Sequence, residues 1–466
     1  MLTPIFHSDS PLYIQLYSFL KEQIEQGELK SFAKLPSIRQ LSIHLNISKT
    51  TVESAYQQLL AEGYVESKPR SGLIVLPLES EAIIRDLHPP SFSAVRLDEA
   101  PHVDFQYGDI DLAHFPIKRW KKYMREAMSE ENFDVFHYGE KQGDQLLRIE
   151  ISKYLYGSRG ISCHPKQIVL CAGTQLAVDL ICQLLKLQGQ EVAMENPGYD
   201  GVHAIFSQHK CKTIPISIEK DGLCIDELTD SHAKAVYVTP SHQFPYGMVL
   251  SIQKRMKLLH WAKEASSYII EDDYDSEYRY EGHPISSLKS LDTDGRVLYL
   301  GTFSKSFLPA LRTSYIVLPL SLVDTYQENY QFHSQSVSPI FQRALQQFMI
   351  TGDFMRHIRK MRKIYHDKHQ VLLSVINKYM GDKVEVIGEK AGLHLLLNVK
   401  GRDEHDLMLK AEKNHIRVYS TSSFWLIKKD HPRSLIMLGF GGISTEKIEE
   451  GIRLLSLAWF ERKEGY

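Results

Sequence analysis

RVLYLGTFSKSFLPALR, residues 296–312, joins an apolar run to a hydroxyl-rich turn, a lysine and, seven residues beyond that lysine, an arginine. The apolar run is short and β-rich, and it stops where the turn residues begin. Four other stretches share this form: QIVLCAG (167–173), EVAMENPGY (191–199), KAVYVTP (234–240) and SYIIEDD (267–273). Helical patterns alternate with them, as in TQLAVDLICQLLKL (174–187). Such alternation predicts a mainly parallel sheet covered by helices, with ligands bound beyond the carboxyl ends of the strands. We place this α/β domain at residues 102–330. From 331 to 466, long helical stretches lead into GLHLLLNVK, IRVYS and SLIMLGFG, which predict a smaller α+β domain.

The turn after residue 300 carries the chemistry. A lysine forms a Schiff base with pyridoxal phosphate (PLP) only if the aldehyde is held still, so the phosphate needs neutral donors and a cation nearby. Thr302, Ser304 and Arg312 supply both around Lys305. Gly173-Thr174, where IVLCA opens into a helix with unpaired N–H groups, offers a further phosphate site. The strand SYIIEDD delivers an acid at its end, Asp272, suited to keep a pyridine nitrogen protonated. Tyr274 is placed to hydrogen-bond the ring oxygen, and Tyr199, in NPGY, to stack on the ring face. A divalent-metal site built from Glu271, Asp272, Asp273 and Asp275 is the rival reading, but adjacent acids on a strand point to opposite faces. We expect PLP and no metal.

Residues 1–76 have a different texture. Ser10-Pro11 is a helix-start signal, after which Leu12, Leu16, Phe19, Leu20 and Ile24 fall on one face. Ser37 with Gln40 fits a capping box before Ile38, Leu41 and Leu45. Ser48 is placed to cap a third helix, and GYVESKPRSGLIVL reads as a hairpin. Three helices and a hairpin, with a tight turn between helices two and three, make a winged helix-turn-helix pattern. The start of its third helix, Ser48, Lys49, Thr50 and Thr51, would face base edges and phosphates. Lys34, Ser37 and Arg39 open the preceding helix, and Lys68 and Arg70 mark the wing tip. This segment holds seven Lys and Arg against seven Asp and Glu, so a DNA contact rests on local placement of its cations. Residues 77–101, with adjacent Pro89-Pro90, read as a linker.

Composition sets the outer bounds. A chain of 466 residues exceeds one small domain, and 43% hydrophobic with 24% charged residues is an ordinary globular balance. No apolar run is long enough for a membrane span, and the N-terminus lacks a leader pattern. Five cysteines without a C-x-x-C pair suggest free thiols in a reducing cytoplasm.

LPSIRQLSIHLNISKTTVESAYQQLLAEGYVESKPRSGLIV (35–75) also resembles the GntR-type winged helix of bacterial repressors. From about residue 102 onward the chain resembles fold-type I (class I/II) aminotransferases. With EDDYDSEYRY, TPSHQFPYG and GTFSKSFLPALR, the whole resembles the MocR/GabR family of bacterial transcriptional regulators. The resemblance implies Lys305 as the Schiff-base lysine, Asp272 as the pyridine-nitrogen partner and Arg312 as a phosphate ligand. It implies a head-to-tail homodimer on double-stranded operator DNA, in which Tyr138, in HYGEKQG, reaches the neighbouring subunit's phosphate. It also implies a cytoplasmic regulator sensing PLP or an amino compound, with a working aminotransferase as the alternative. Two departures stand out. Met437, in IMLGFGG, occupies the place of the arginine that clamps a substrate carboxylate, for which Arg417 or Arg433 are candidate replacements. QFPYG replaces an Asn-Pro-Thr-Gly loop, so Phe244 takes the asparagine position, with Gln243 beside it as a substitute.

Overall fold

The computed structural model describes residues 4–7, 10–78, 101–280, 285–330 and 333–460. The chain divides into two units, residues 1–98 and 99–466. Of the expected linker 77–101, all but Pro77, Leu78 and Pro101 lies outside the described residues.

In the first unit three helices, Leu12–Glu25, Ile38–Leu45 and Lys49–Ala61, precede a hairpin of Val65–Lys68 against Gly72–Val75. The first helix buries Leu16, Leu20 and Ile24, while Leu12 stays largely exposed. These side chains meet Leu41, Val52 and Leu59 in one small core. Ser37 and Gln40 form the full capping box, and Ser48 accepts from the Thr51 N–H. Asn46, at φ 51°, turns the chain between the second and third helices. The start of the first helix differs from the Ser-cap reading. Pro11 itself is the cap residue and no side chain caps the helix. The Ser10 carbonyl instead accepts from the Gln15 amide at 2.6 Å.

The second unit is built on an eight-stranded sheet in the order Ile168–Cys171, Ser314–Val317, Val297–Thr302, Tyr268–Asp273, Ala235–Val238, Glu191–Asn196, Lys212–Glu219 and Gly222–Leu223. Ser314–Val317 runs antiparallel to both neighbours, and Gly222–Leu223 turns back at the far edge. The remaining strands run parallel, so their carboxyl ends open on one side. Four of the central strands are buried at nearly every position, as expected of a sheet covered on both faces.

A four-stranded antiparallel sheet follows, in the order Val384–Ile387, His394–Val399, Leu435–Gly439 and Tyr419–Ser420. Its core also takes in Val103 and Phe105, because Val103–Asp104 pairs in parallel with Ile416–Arg417. The chain therefore packs into the C-terminal core before it builds the large sheet. A break at 330/331 separates nothing so cleanly either. Ala344, Leu345 and Phe348 pack with Phe303 and Phe307 of the large core. The helix Asp353–Tyr379 then crosses over, with Phe354 and Ile358 in one core and Met361, Tyr365 and Leu372 in the other.

Candidate functional site

A cavity of about 400 Å³ opens at the carboxyl ends of the parallel strands. Thr174, Tyr199, Asp272, Tyr274, Thr302, Ser304, Lys305 and Arg312 line it together. Lys305 sits on the turn after Val297–Thr302, its Nζ 3.8 Å from the centroid of the Tyr107 ring. Burial pushes this amine down to about 8, against an upward pull from Asp275 and Asp109. Gly108, at φ +113°, passes close by, and a Cβ there would stand 3.3 Å from Nζ. Glycine thus leaves room for whatever the amine carries.

Asp272 is 4% exposed. Its Oδ2 accepts from Tyr237 at 2.5 Å, whereas its Oδ1 is buried without a hydrogen-bond partner. Desolvation pushes the carboxyl up to about 7. A buried acceptor of this kind carries a desolvation cost until a donor arrives. The strand splits its acids as the β alternation requires. Glu271 turns to the other face and accepts the Leu288 and Lys289 N–H groups at 2.7 and 2.8 Å. Asp273 likewise pairs with Arg159 Nε and accepts from Tyr299, each at 2.6 Å.

The opposite end of the cavity is built for an anion. Gly173 is the cap residue of the helix Thr174–Leu184, and at φ +103° a Cβ there would run into the Arg312 guanidinium. Arg312 therefore lies directly over a helix N-terminus. Among the described residues it forms no ion pair with a carboxylate. Ser314 donates to Thr302 Oγ1 at 2.9 Å, and Thr302 in turn donates to Ser304 Oγ at 3.2 Å.

Several expected placements change. Tyr274 lines the cavity but donates its single proton to the His242 carbonyl at 2.9 Å, so it does not donate to a ring oxygen in this arrangement. Gln243 is buried, and its amide is spent on the Pro197 and Phe244 carbonyls. Phe244 alone faces the cavity from that loop, edge-on to Tyr199 at 5.7 Å. Arg417 pairs with Asp104 at the surface and Arg433 is exposed. Neither lines the cavity. Met437 is buried behind Phe244 and Tyr274. Tyr138 is 97% exposed and lies outside this chain's cavity.

Tyr237, Tyr107 and Thr239 were missed by sequence reasoning. Tyr237 pairs with Ile270 across parallel strands and so shares a face with Asp272. That signal needs the strand register, which the residues alone do not give. Tyr107 arrives from the loop beyond Val103–Asp104, over 150 residues from Asp272.

In the first unit Lys34, Arg39, Lys49, Thr50 and Arg70 are exposed, and those four cations form no ion pair among the described residues. Thr51 is half-buried at the end of the same turn. Lys68 is different, since it pairs with Glu66 at 2.8 Å. The hydroxyls of Ser37 and Ser48 are engaged in their caps.

Comparison with known proteins agrees with both halves. Residues 100–454 match the class I and II aminotransferase family, and residues 12–75 match the bacterial regulatory gntR family. The chain is 39% identical to an uncharacterized HTH-type transcriptional regulator, YdeL, of Bacillus subtilis, over 98% of this chain and 99% of that protein. It is 31% identical to the probable rhizopine catabolism regulatory protein MocR of Rhizobium meliloti, over 97% and 94%. Among solved structures it resembles a multiple substrate aminotransferase of Thermococcus profundus, with 26% identity and a TM-score of 0.70 over 76% of this chain and 90% of that one. The chain belongs to the MocR-type regulators, in which a gntR-family winged helix is fused to a class I and II aminotransferase domain. That fold implies PLP, and the unpartnered Asp272 oxygen, the open Gly108 and the Arg312-covered helix end fit its ring nitrogen, reactive carbon and phosphate.

Proposed function

We propose that this chain is a transcriptional regulator whose winged helix binds operator DNA while its larger unit holds PLP and senses that cofactor or an amine reacting with it. The unpartnered buried Oδ1 of Asp272 carries the reading, since a protonated pyridine nitrogen is the donor it lacks. Bound there, the cofactor supplies a reactive carbonyl backed by an electron-withdrawing ring. Lys305, its amine held partly neutral near pH 8, would be the residue that holds the cofactor through that carbonyl. Arg312, the N–H groups at Gly173-Thr174 and the Ser304 hydroxyl hold the phosphate, Thr302 orients Ser304 by donating to it, and Tyr199 flanks the ring. Lys34, Arg39, Lys49 and Arg70 neutralise DNA phosphates, and Thr50 reaches base edges. Ser37, Ser48, Thr51 and Lys68 set the position of that surface.

A ligand that binds two arrangements of the protein unequally shifts their populations, and with them the fit of the winged helices to DNA. The natural assembly for this is a head-to-tail homodimer in the cytoplasm, with the exposed Tyr138 serving the partner's phosphate. A working aminotransferase is less well supported, because among the described residues no arginine other than Arg312 lines the cavity to take a substrate carboxylate.

The test is a PLP titration of cofactor-free protein followed by visible absorbance. Saturable binding that survives gel filtration in the wild type, and weak, separable binding in Lys305→Ala, are expected. Equal retention of PLP by both proteins would overturn the assignment of Lys305.

A further inference from the structure

We propose that the amine this site accepts bears no carboxylate next to its amino group: it is a plain or diamine-type primary amine, not an amino acid. The proposal rests on the PLP reading above and names the ligand class of the same site. Among the described residues two cations line the cavity, Lys305 and Arg312, and on the PLP reading the cofactor's carbonyl and phosphate would engage both. The wall that remains combines Tyr107, Phe244 and Tyr274 with the uncharged Gln106, Gln175 and Thr239.

The polar groups near that wall offer no further lysine or arginine among the described residues, and His242 Nε2 and His394 Nδ1 are buried there without hydrogen-bond partners. Tyr274 donates to the His242 carbonyl. His242 itself faces the Asp275 carboxylate, 2.9 Å from its Nδ1. His394 stands edge-on to Tyr107 at 4.8 Å and gives its Nε2 to the Pro245 carbonyl at 3.1 Å. Burial drives His394 down to about 3, so it stays neutral. A carboxylate moved against these groups would lose its water and gain no cation, which is the costly way to bury a charge. An amine with an apolar body meets no such cost there.

The approach favours cations as well. An adjoining cavity of about 760 Å³ shares Asp109 and Pro309 with the first. Asp109 and Asp367 line it, both exposed and without ion-pair partners among the described residues. Glu446 adds a third acid. The opposing charges there are His114 and Lys368, and Lys368 is neutralised by Asp111 at 2.7 Å. This acidic mouth draws in ammonium groups and repels carboxylates. Binding is an amine-for-amine exchange. A C=N bond forms to the incoming nitrogen as the one to Lys305 breaks, and two hydrogens pass from that nitrogen to Lys305, with no oxidant or reductant needed.

Matched ligands isolate the carboxylate. PLP-loaded wild-type protein is titrated with 2-phenylethylamine and with L-phenylalanine, then with cadaverine and with L-lysine, following the absorbance of the bound cofactor. Each amine should act at a concentration at least tenfold below that of its amino acid. Phe244→Arg, which adds a cation to the wall, should narrow the gap, provided its cofactor absorbance and thermal unfolding match the wild type. Equal or stronger action of the amino acids, or no response to any of the four, would overturn the proposal. Absence of cofactor absorbance before any amine is added would instead count against the PLP reading itself.

Discussion

The winged helix and the cofactor cavity use charge in opposite ways. In the first unit Lys34, Arg39, Lys49 and Arg70 are exposed and form no ion pair among the described residues, while Lys21 is tied to Glu62 at 3.6 Å. In the cavity the functional groups are desolvated, and burial is the largest influence that takes Lys305 down to about 8 and Asp272 up to about 7. A reading head works by exchanging counterions for phosphates, so its charges must stay in water until DNA arrives. A covalent pocket needs a neutral amine and an acid waiting for a donor, so its groups must leave water beforehand. Mutations should therefore act all-or-none in the cavity and in graded steps on the head.

The largest expected effect is Lys305→Ala, which removes covalent retention of PLP altogether while leaving operator binding by cofactor-free protein unchanged. Gel filtration and mobility-shift assays check the two halves. Asp272→Asn comes next. Losing a charge-assisted hydrogen bond of about 1.5–3 kcal/mol lowers PLP affinity roughly ten- to hundredfold, measurable by equilibrium dialysis. If Asp272→Asn bound PLP as the wild type does, the unpartnered oxygen would have no functional meaning.

The third prediction concerns pH. Lys305 is lowered in the fold, so its neutral, nucleophilic form prevails above about pH 8 and declines below it. The second-order rate of PLP capture should fall about tenfold per unit below that pH and level off above it, as stopped-flow absorbance would show. A rate still rising steeply to pH 10 would mean that the amine keeps its ordinary value. On the head, Arg39→Ala and Lys49→Ala should each weaken operator binding and reduce the slope of log K against log salt by about one. Lys21→Ala, already paired, should change that slope far less. The smallest effect is Ser37→Ala, which should cost about 1 kcal/mol of stability through its lost cap and leave the salt slope intact. A changed slope would return Ser37 to the DNA-contacting set.

What the residues alone revealed follows the same division. Local chemistry was legible: the Ser37–Gln40 box, the Ser48 cap, and the alternation that sends Asp272 one way and Asp273 the other all lie within a few residues. Groups that meet through the tertiary fold were not. Tyr237 reaches Asp272 only once the strands are in register, and Tyr107 reaches Lys305 only because Val103–Asp104 first pairs with Ile416–Arg417. The partners of Gln243 and Tyr274 were equally out of reach of sequence reasoning: the Gln243 amide meets the Pro197 and Phe244 carbonyls, and the Tyr274 hydroxyl meets the His242 carbonyl. Pro11 took the N-cap position of the first helix where a serine cap was expected, its φ of −55° fitting that position.

The central claim is that cofactor chemistry at Lys305 governs the DNA-reading head. The direct measurement is the affinity of wild-type and Lys305→Ala protein for DNA upstream of the gene, at fixed salt, with and without saturating PLP. The account predicts a PLP-dependent change in affinity for the wild type and none for the variant. Identical affinities in all four conditions, with PLP demonstrably bound to the wild type, would contradict it.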